Sequence, residues 1–573
     1  MNRPGTIQCT SLNMLSTQLR HFAIAFNQNR STMTQPANQQ QSKQKPLAKS
    51  LTIATFIMMG SVLLSRVAGL IREQVLAYHG GTSSDMDAYV TAFMIPELLN
   101  HFLAGGFLSI TFIPIFQKHI LSGHREKAWK SMSNLLTIGS IAFIATIPLL
   151  IFFTADILTI MSNFASVFGV KGNLVTDPKQ LALTIRLTQI ILPAQILFYW
   201  GAFFSAVQMA EHKFFLPALS PLCYNFGIIL GGVALGPVIG IEGFAWGVLF
   251  GALLGNILIQ LPGALQCGFR YRFRMDFSDP DFTDYIKKTI PLILGLGMVF
   301  SNEIFFRFFG SFLPEGSTSS INYALRTMLI AVAVFGQASG VAFFPYLSKM
   351  AIEHEFSKMS ELLNSMLYKI ALYLLPLSGI MFILSKEIIS ILFQRGSFTT
   401  DSVSKTSIVF AIYLTGTFAF SASMIISRTF YALQNTLLPM LISTPIALLS
   451  IPLYILSGRL FQANGIAVIA VLSMTVQFII LYLIWVRQYR LWKDAIDLSK
   501  KIIKVLVICI CGCIGGYYFK GFISGFISGN GLIYNIALCI VTAVPVLFAI
   551  FCTYELTKMQ SLKESIRGLL KKK

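Results

Sequence analysis

Charge is scarce in this chain. Asp, Glu, Lys and Arg together make up 12% of 573 residues, about half of the roughly 25% found in soluble domains. The eight cysteines lack the spacing of a disulfide framework or a zinc site. Cys509, Cys511 and Cys513 recur at period two in an apolar run, where a helix cannot present them on one side. They read as small apolar fillers. A Walker A sequence is missing, which excludes ATP hydrolysis by this chain. There is no cluster of metal ligands and no credible nucleophile–base pair, so no metal site and no enzyme is expected. A cleavable signal peptide is lacking as well, because the first apolar run is long and interrupted by arginines.

What is present is apolar: 55% of residues, with a mean hydropathy of +0.69. Runs of about 20 apolar residues each suffice to cross a bilayer. About fourteen can be read by that rule, beginning near Thr52, Ala88, Leu135, Leu181, Leu219, Gly240, Thr289, Ile321, Leu363, Thr406, Leu437, Gly465, Val505 and Tyr534. The expected fold is an all-α polytopic membrane protein.

A net charge of +20 raises the question of nucleic acid, and its distribution answers it. Basic residues gather in alternate loops: Lys43 to Lys49, Lys118 to Lys130, Arg270 to Lys288, Lys349 with Lys358, Arg487 to Lys501, and Arg567 to Lys573. The loops between them, such as His79 to Asp87 and Leu313 to Thr318, are nearly free of basic residues. That is the positive-inside pattern, and it places both termini in the cytoplasm. Residues 1–50 are polar and rich in Gln, Asn and Ser, which reads as a disordered cytoplasmic extension.

Two short segments recur in order. Ser109 to Lys118 resembles Gly340 to Lys349, with Phe112/Phe343, Pro114/Pro345 and Lys118/Lys349 in register. Ala210 to Pro217 resembles Ala432 to Pro439, with identical Ala-to-Pro spacing. The copies lie six spans apart, and an even offset preserves orientation. This predicts two parallel six-helix lobes, residues 51–275 and 276–495, followed by two further spans and a basic tail in 496–573. Such an architecture carries its site between the lobes and works by rocking one against the other.

The few charges inside the spans are therefore informative, since each costs at least about 2.5–3.5 kcal/mol at the bilayer centre. Arg66 and Arg72 lie in the first span, six positions apart, with Glu73 beside the second. Helical geometry separates them by about 9 Å and about 120°, two levels of one broad cavity. Span two holds Asp87, Pro96, Glu97, Asn100 and His101. Pro96 lets the helix bend and requires a neighbour to satisfy the freed carbonyl. Span seven holds Glu303 and Arg307, an i,i+4 pair read either as self-neutralising or as a charged wall or cation site. Span eight holds Arg326, which would otherwise be a snorkelling residue near the outer face. Arginine is the side chain suited to bidentate capture of phosphate or diphosphate, so an anionic ligand is expected.

At these residues the chain resembles the MurJ/MviN lipid II flippases of the MOP exporter superfamily. The resemblance rests on Ser65 to Glu73, Asp87 to Leu99, Phe107 to Pro114, Phe215 to Asn225, Tyr323 to Arg326 and Leu392 to Thr399. It implies transfer of the undecaprenyl-diphosphate disaccharide-pentapeptide, lipid II, across a bacterial inner membrane during peptidoglycan synthesis. It also implies substrate-cavity roles for Arg66, Arg72, Glu73, Asp87 and Arg326, with Asn100 and His101 standing where many members carry a basic pair. Gly105 occupies a position that is often acidic in the family. The two C-terminal spans would help form a groove for the polyprenyl tail. Some members bind sodium in the second lobe, for which Glu303 is a loose candidate. No other cofactor is implied, and the membrane potential is the expected driving force. The expected partners are lipid II and membrane lipids, with the chain acting as a monomer. A flippase for another polyprenyl-diphosphate glycan is the nearest alternative. A multidrug/cation antiporter of the superfamily should have an acidic cavity, and a membrane glycosyltransferase should have an acidic motif in an outer loop.

Overall fold

The computed structural model describes residues 60, 64–103, 107–167, 177–211, 213–297, 301–433, 435, 437–526 and 531–556. Among these there is no strand, and helices follow one another with short turns. Among the described residues nine helices are long and apolar enough to cross a membrane, and one bent pair, Thr400–Thr415 with Thr417–Ala432, makes a tenth. The 53-residue helix Leu437–Tyr489 is broken at Gln462, where φ 51° and ψ −134° leave the helical region. The N-terminal extension, residues 51–59 and 61–63 of the first apolar run, and the basic tail lie outside the described residues.

The helices begin earlier than the apolar runs. The run near Leu135 belongs to Arg125–Val167, that near Thr289 to Pro280–Gly297, and that near Val505 to Trp492–Phe526. Hydropathy marks the length that crosses the bilayer. Backbone hydrogen bonding carries the helix further, into polar and basic turns that hydropathy does not see.

Span two breaks into Ser84–Ala92 and Met94–Leu103, with Phe93 between them. Pro96 has no N–H to offer the carbonyl four residues back. That carbonyl, on Ala92, lies 3.3 Å from the Thr188 hydroxyl of a neighbouring span, whose one proton it shares with the Thr184 carbonyl at 2.7 Å. Two π-helical turns, Leu253–Leu258 and Ala333–Gln337, re-aim spans six and eight. Sequence periodicity does not show them.

The two recurring segments take matching places. Phe107–Leu121 packs against Ala194–Ala210, and Ala338–Ile352 packs against Thr417–Ala432. The core is organised unequally along the spans. One continuous apolar cluster joins both halves, from Leu76 and Tyr89 through Phe244, Tyr323 and Phe398 to Tyr454. Toward the ends bearing the basic loops the cores are separate. Phe112, Phe116 and Trp129 anchor one, and Leu347, Leu363, Phe430 and Trp485 anchor the other. The halves share one core toward the charge-poor face, while toward the basic face span seven packs on the first half, where Tyr285 joins its core and His119 meets Asp281 at 2.7 Å.

The last two helices, Trp492–Phe526 and Leu532–Leu556, pack on Phe356–Ile383. Cys509 is buried and its Sγ lies 3.2 Å from the Tyr554 hydroxyl, while Cys511 is exposed. The period-two alternation of the cysteines thus separates them as expected. Lys520 locks this pair to a short helix that sequence reading missed, Ser385–Phe393. Its Nζ donates to Glu387 at 2.7 Å and to the Ile383 carbonyl at 2.9 Å.

Candidate functional site

A cavity of about 170 Å³ lies where spans one, two, seven and eight converge. It is lined by Arg72, Glu73, Glu97, Arg307, Asn322 and Arg326, with Tyr89, Phe93 and Tyr224 among its apolar walls. Arg72 donates to Glu73 at 2.6 Å, and the other oxygen of Glu73 accepts from the Asn322 amide at 3.1 Å. Glu73 is thereby fixed across the two halves and holds the guanidinium in place. Arg326 makes a two-pronged contact with Glu303, at 3.4 and 3.2 Å. Arg307 pairs with Glu97, and its guanidinium also stands over the Phe93 and Phe306 rings, 5.8 and 5.4 Å from their centroids.

These partners correct one expectation. Glu303 and Arg307 had two readings, a self-neutralising pair along span seven or a charged wall or cation site, and the first does not fit the partners seen. Instead, each turns to a residue from another span. Their i,i+4 spacing puts both on one helix face, and that face looks into the cavity, where Arg326 and Glu97 stand. A snorkelling role for Arg326 is likewise ruled out by its partner and its place in the cavity.

Arg66 stands apart. It is exposed and donates to the Gln337 side chain at 3.0 Å. The π-turn of span eight carries that Gln337. With Arg66 counted, four guanidinium groups face three carboxylates here, which leaves one positive charge in excess. Nε of Arg307 and Nε of Arg326 have no hydrogen-bond partner among the described residues, and a buried unsatisfied N–H costs about 1–3 kcal/mol, more when charged.

Asp87 is not in this cavity, which corrects the second expectation. It is 3% exposed, and its two oxygens accept the backbone N–H groups of Gly316 and Ser319, both at 2.7 Å. The reason is local. Helix Ser317–Val332 starts at Gly316, which has no side chain with which to cap it. Asp87, from the other half, provides the missing cap, worth about 0.5–2 kcal/mol. The same seam contains the Thr82–Ser402 hydroxyl contact at 2.8 Å, Tyr323 donating to the Gly81 carbonyl at 3.1 Å, and Ser397 N–H donating to the Tyr78 carbonyl at 2.8 Å. Gly81 sits at φ 54°, where a Cβ would meet the Ser397 carbonyl oxygen at 2.3 Å. Only glycine permits so close a backbone approach.

This seam closes the charge-poor face, and it makes a prediction. With Thr82 and Ser402 both changed to cysteine, oxidation should join the halves and stop transport, and reduction should restore it. Transport that continues through complete crosslinking would show that the halves do not part here.

Asn100 is half-buried and lies outside the cavity lining. His101 falls within helix Met94–Leu103, but its side chain and Gly105 are outside the described residues. Tyr224, Asn322 and Gln337 were missed by sequence reading. Neutral polar residues inside an apolar span carry no signal until their neighbours are known.

A profile of the family described as "Lipid II flippase MurJ" matches residues 76–537. The chain belongs to that family. Among its relatives are a probable lipid II flippase MurJ of Bdellovibrio bacteriovorus and another of Thermotoga maritima. The first is 25% identical over 441 residues, covering 76% of this chain and 82% of the relative. The second is 29% identical over 420 residues, covering 73% and 82%. A solved MurJ structure in an inward closed conformation shares the fold, with a TM-score of 0.70 at 22% identity, over 89% of this chain and 99% of that one. A multidrug resistance MATE family transporter of the MOP superfamily, in an inward-facing conformation, is more distant in fold. It has a TM-score of 0.58 at 12% identity, over 76% and 95%. The chain is therefore a multi-pass protein of a bacterial transporter family, which implies the inner membrane.

Proposed function

We propose that this protein moves lipid II from the cytoplasmic to the periplasmic leaflet by alternating access. The observation that carries this reading is the arginine-rich cavity with two unfilled, buried guanidinium N–H groups. A diphosphate supplies the acceptors those donors lack, and arginine forks match its oxygens. A cavity of about 170 Å³ takes a diphosphate but not a glycopeptide, so the sugars and peptide lie outside it. A cation antiporter would need the opposite balance of charge.

The basic loops put that face, and both termini, in the cytoplasm. The Asp87 seam is then the periplasmic closure. Residues 51–275 and 276–495 form the two rocking lobes, with 496–573 added beside the second. The helices Trp492–Phe526 and Leu532–Leu556 expose apolar side chains such as Leu506, Ile510 and Ile540, a surface suited to a polyprenyl tail. The chain works as a monomer, driven by the membrane potential, with no bound cofactor required. Sodium at Glu303 is disfavoured, because that carboxylate already holds Arg326.

The test is replacement. A bacterium depleted of its own lipid II flippase should regain growth and cell shape when this chain is expressed. Failure to rescue, despite correct insertion and despite rescue by the bacterium's own flippase gene, would contradict the reading.

A further inference from the structure

A second cavity, of about 340 Å³, opens at the basic face and shares no residue with the central one. Its origin is the segment that joins the two halves. After helix Gln260–Gln266, Gly268 turns the chain at φ 84°. Residues 269–276 then run without helix as Phe-Arg-Tyr-Arg-Phe-Arg-Met-Asp. In extended chain, alternate side chains point to opposite sides. Arginines and apolar residues therefore separate, and Tyr271, Phe273, Met275 and Phe277 are left exposed.

This strap is pinned to the helix Arg125–Val167. Ser133 Oγ donates to the Arg270 carbonyl at 3.4 Å and accepts from Arg272 N–H at 3.2 Å. Asn134 exchanges two hydrogen bonds with the Asp276 backbone, at 2.7 and 2.8 Å. Arg274 is committed to the following turn, where its hydrogen bond to Asp276 holds that carboxyl below the usual range.

Between strap and helix, Arg125, Lys130, Arg270 and Arg272 wall the cavity over a buried Trp129. Arg125 is paired with Glu211 at 2.6 Å. Lys130 and Arg272 share one carboxylate, Glu126, at 3.5 and 3.4 Å. Arg270 has no carboxylate partner among the described residues. Four cations against two carboxylates leave two positive charges in excess. Arg125 and Lys130 also sit in the first turns of a helix, where the backbone dipole disfavours cations and favours an anion.

We propose that this cavity binds the phosphodiester of an anionic glycerophospholipid from the leaflet at the basic face. A free phosphate would satisfy the arginines equally. The lipid is favoured by the other side of the strap, where Phe273, Met275 and Phe277 stand exposed beside the cavity mouth. Aromatic side chains of this kind settle at headgroup depth, and basic clusters there recruit acidic lipids. The bound lipid tethers the linker between the halves to one leaflet and leaves the central cavity free.

The experiment uses the full chain in detergent with short-chain phosphatidylglycerol, phosphatidylcholine and inorganic phosphate as separate titrants, read by calorimetry. The wild type should bind phosphatidylglycerol at least about tenfold more tightly than either of the others. Arg270→Gln/Arg272→Gln should weaken phosphatidylglycerol about 30-fold, given the usual contribution of basic residues near anionic lipid. Arg270→Lys/Arg272→Lys should stay within about threefold of wild type, because the charge is kept. Lipid II binding should be unchanged in both, which separates this site from the proposed transport cavity. Equal binding by wild type and the Gln variant would overturn the site. Equal loss in the Lys variant would assign the effect to packing and would also overturn it. Phosphate binding as tightly as the lipid would overturn the lipid as its source.

Discussion

Arg326→Ala should abolish lipid II transport in proteoliposomes, with a loss of at least about 30-fold. Truncating one partner of a buried, hydrogen-bonded charge pair costs about 2–5 kcal/mol, and each 1.4 kcal/mol is tenfold. Arg326 supplies both a two-pronged contact to Glu303 and a free, buried Nε donor. The alanine variant also removes the two-pronged partner of the Glu303 carboxylate, so lost activity alone could reflect lost folding. Arg326→Met/Glu303→Gln removes that ambiguity, because no charge is left unpaired. It should insert and unfold like wild type yet fail to transport. Arg326→Lys should rescue poorly, since an ammonium cannot fork. Arg72→Ala should behave as Arg326→Ala does, because Arg72 faces the same cavity from span one. Wild-type rates in either alanine variant would remove that arginine from the transport step.

Collapsing the membrane potential should have an effect of similar size. Counted with Arg66, which stands beside the cavity and donates to the neutral Gln337, the site has four guanidinium groups against three carboxylates. After the anionic substrate leaves outward, a potential that is negative inside draws this positive site back. One charge crossing the field is worth about 2.3 kcal/mol per 100 mV, which is about 50-fold. Valinomycin with potassium should therefore stop turnover, and collapsing only the proton gradient should not. If the proton gradient alone proves necessary, Glu73, Glu97 or Glu303 becomes a proton carrier and the electrical explanation fails.

The apolar runs marked the membrane-spanning helices, and charge in an apolar span is costly enough to mark some of the cavity residues, though Asp87, Asn100 and Arg66 fall outside its lining. Arg72, Glu73 and Arg326 all reached the cavity. The sequence did not show who pairs with whom. Glu303 and Arg307 form a sensible pair along one helix, and only the approach of spans two and eight gives each a different partner. Asp87 was noticed for its charge, but its task depends on Gly316, more than two hundred residues later, having no cap of its own. The Ser385–Phe393 helix and the two π-turns were hidden for another reason. They do not alter the apolar length of a span, which is the property hydropathy reports.

The most direct measurement follows fluorescently labelled lipid II in liposomes containing only the purified protein and carrying a negative-inside potential. An impermeant quencher reports the label on the outer leaflet. With wild-type protein, nearly all the label should become accessible over time. With Arg72→Ala/Arg326→Ala, about half should stay protected, as it does in liposomes without protein. Wild type no faster than empty liposomes, or the double variant as fast as wild type, would contradict an arginine cavity that carries the diphosphate across.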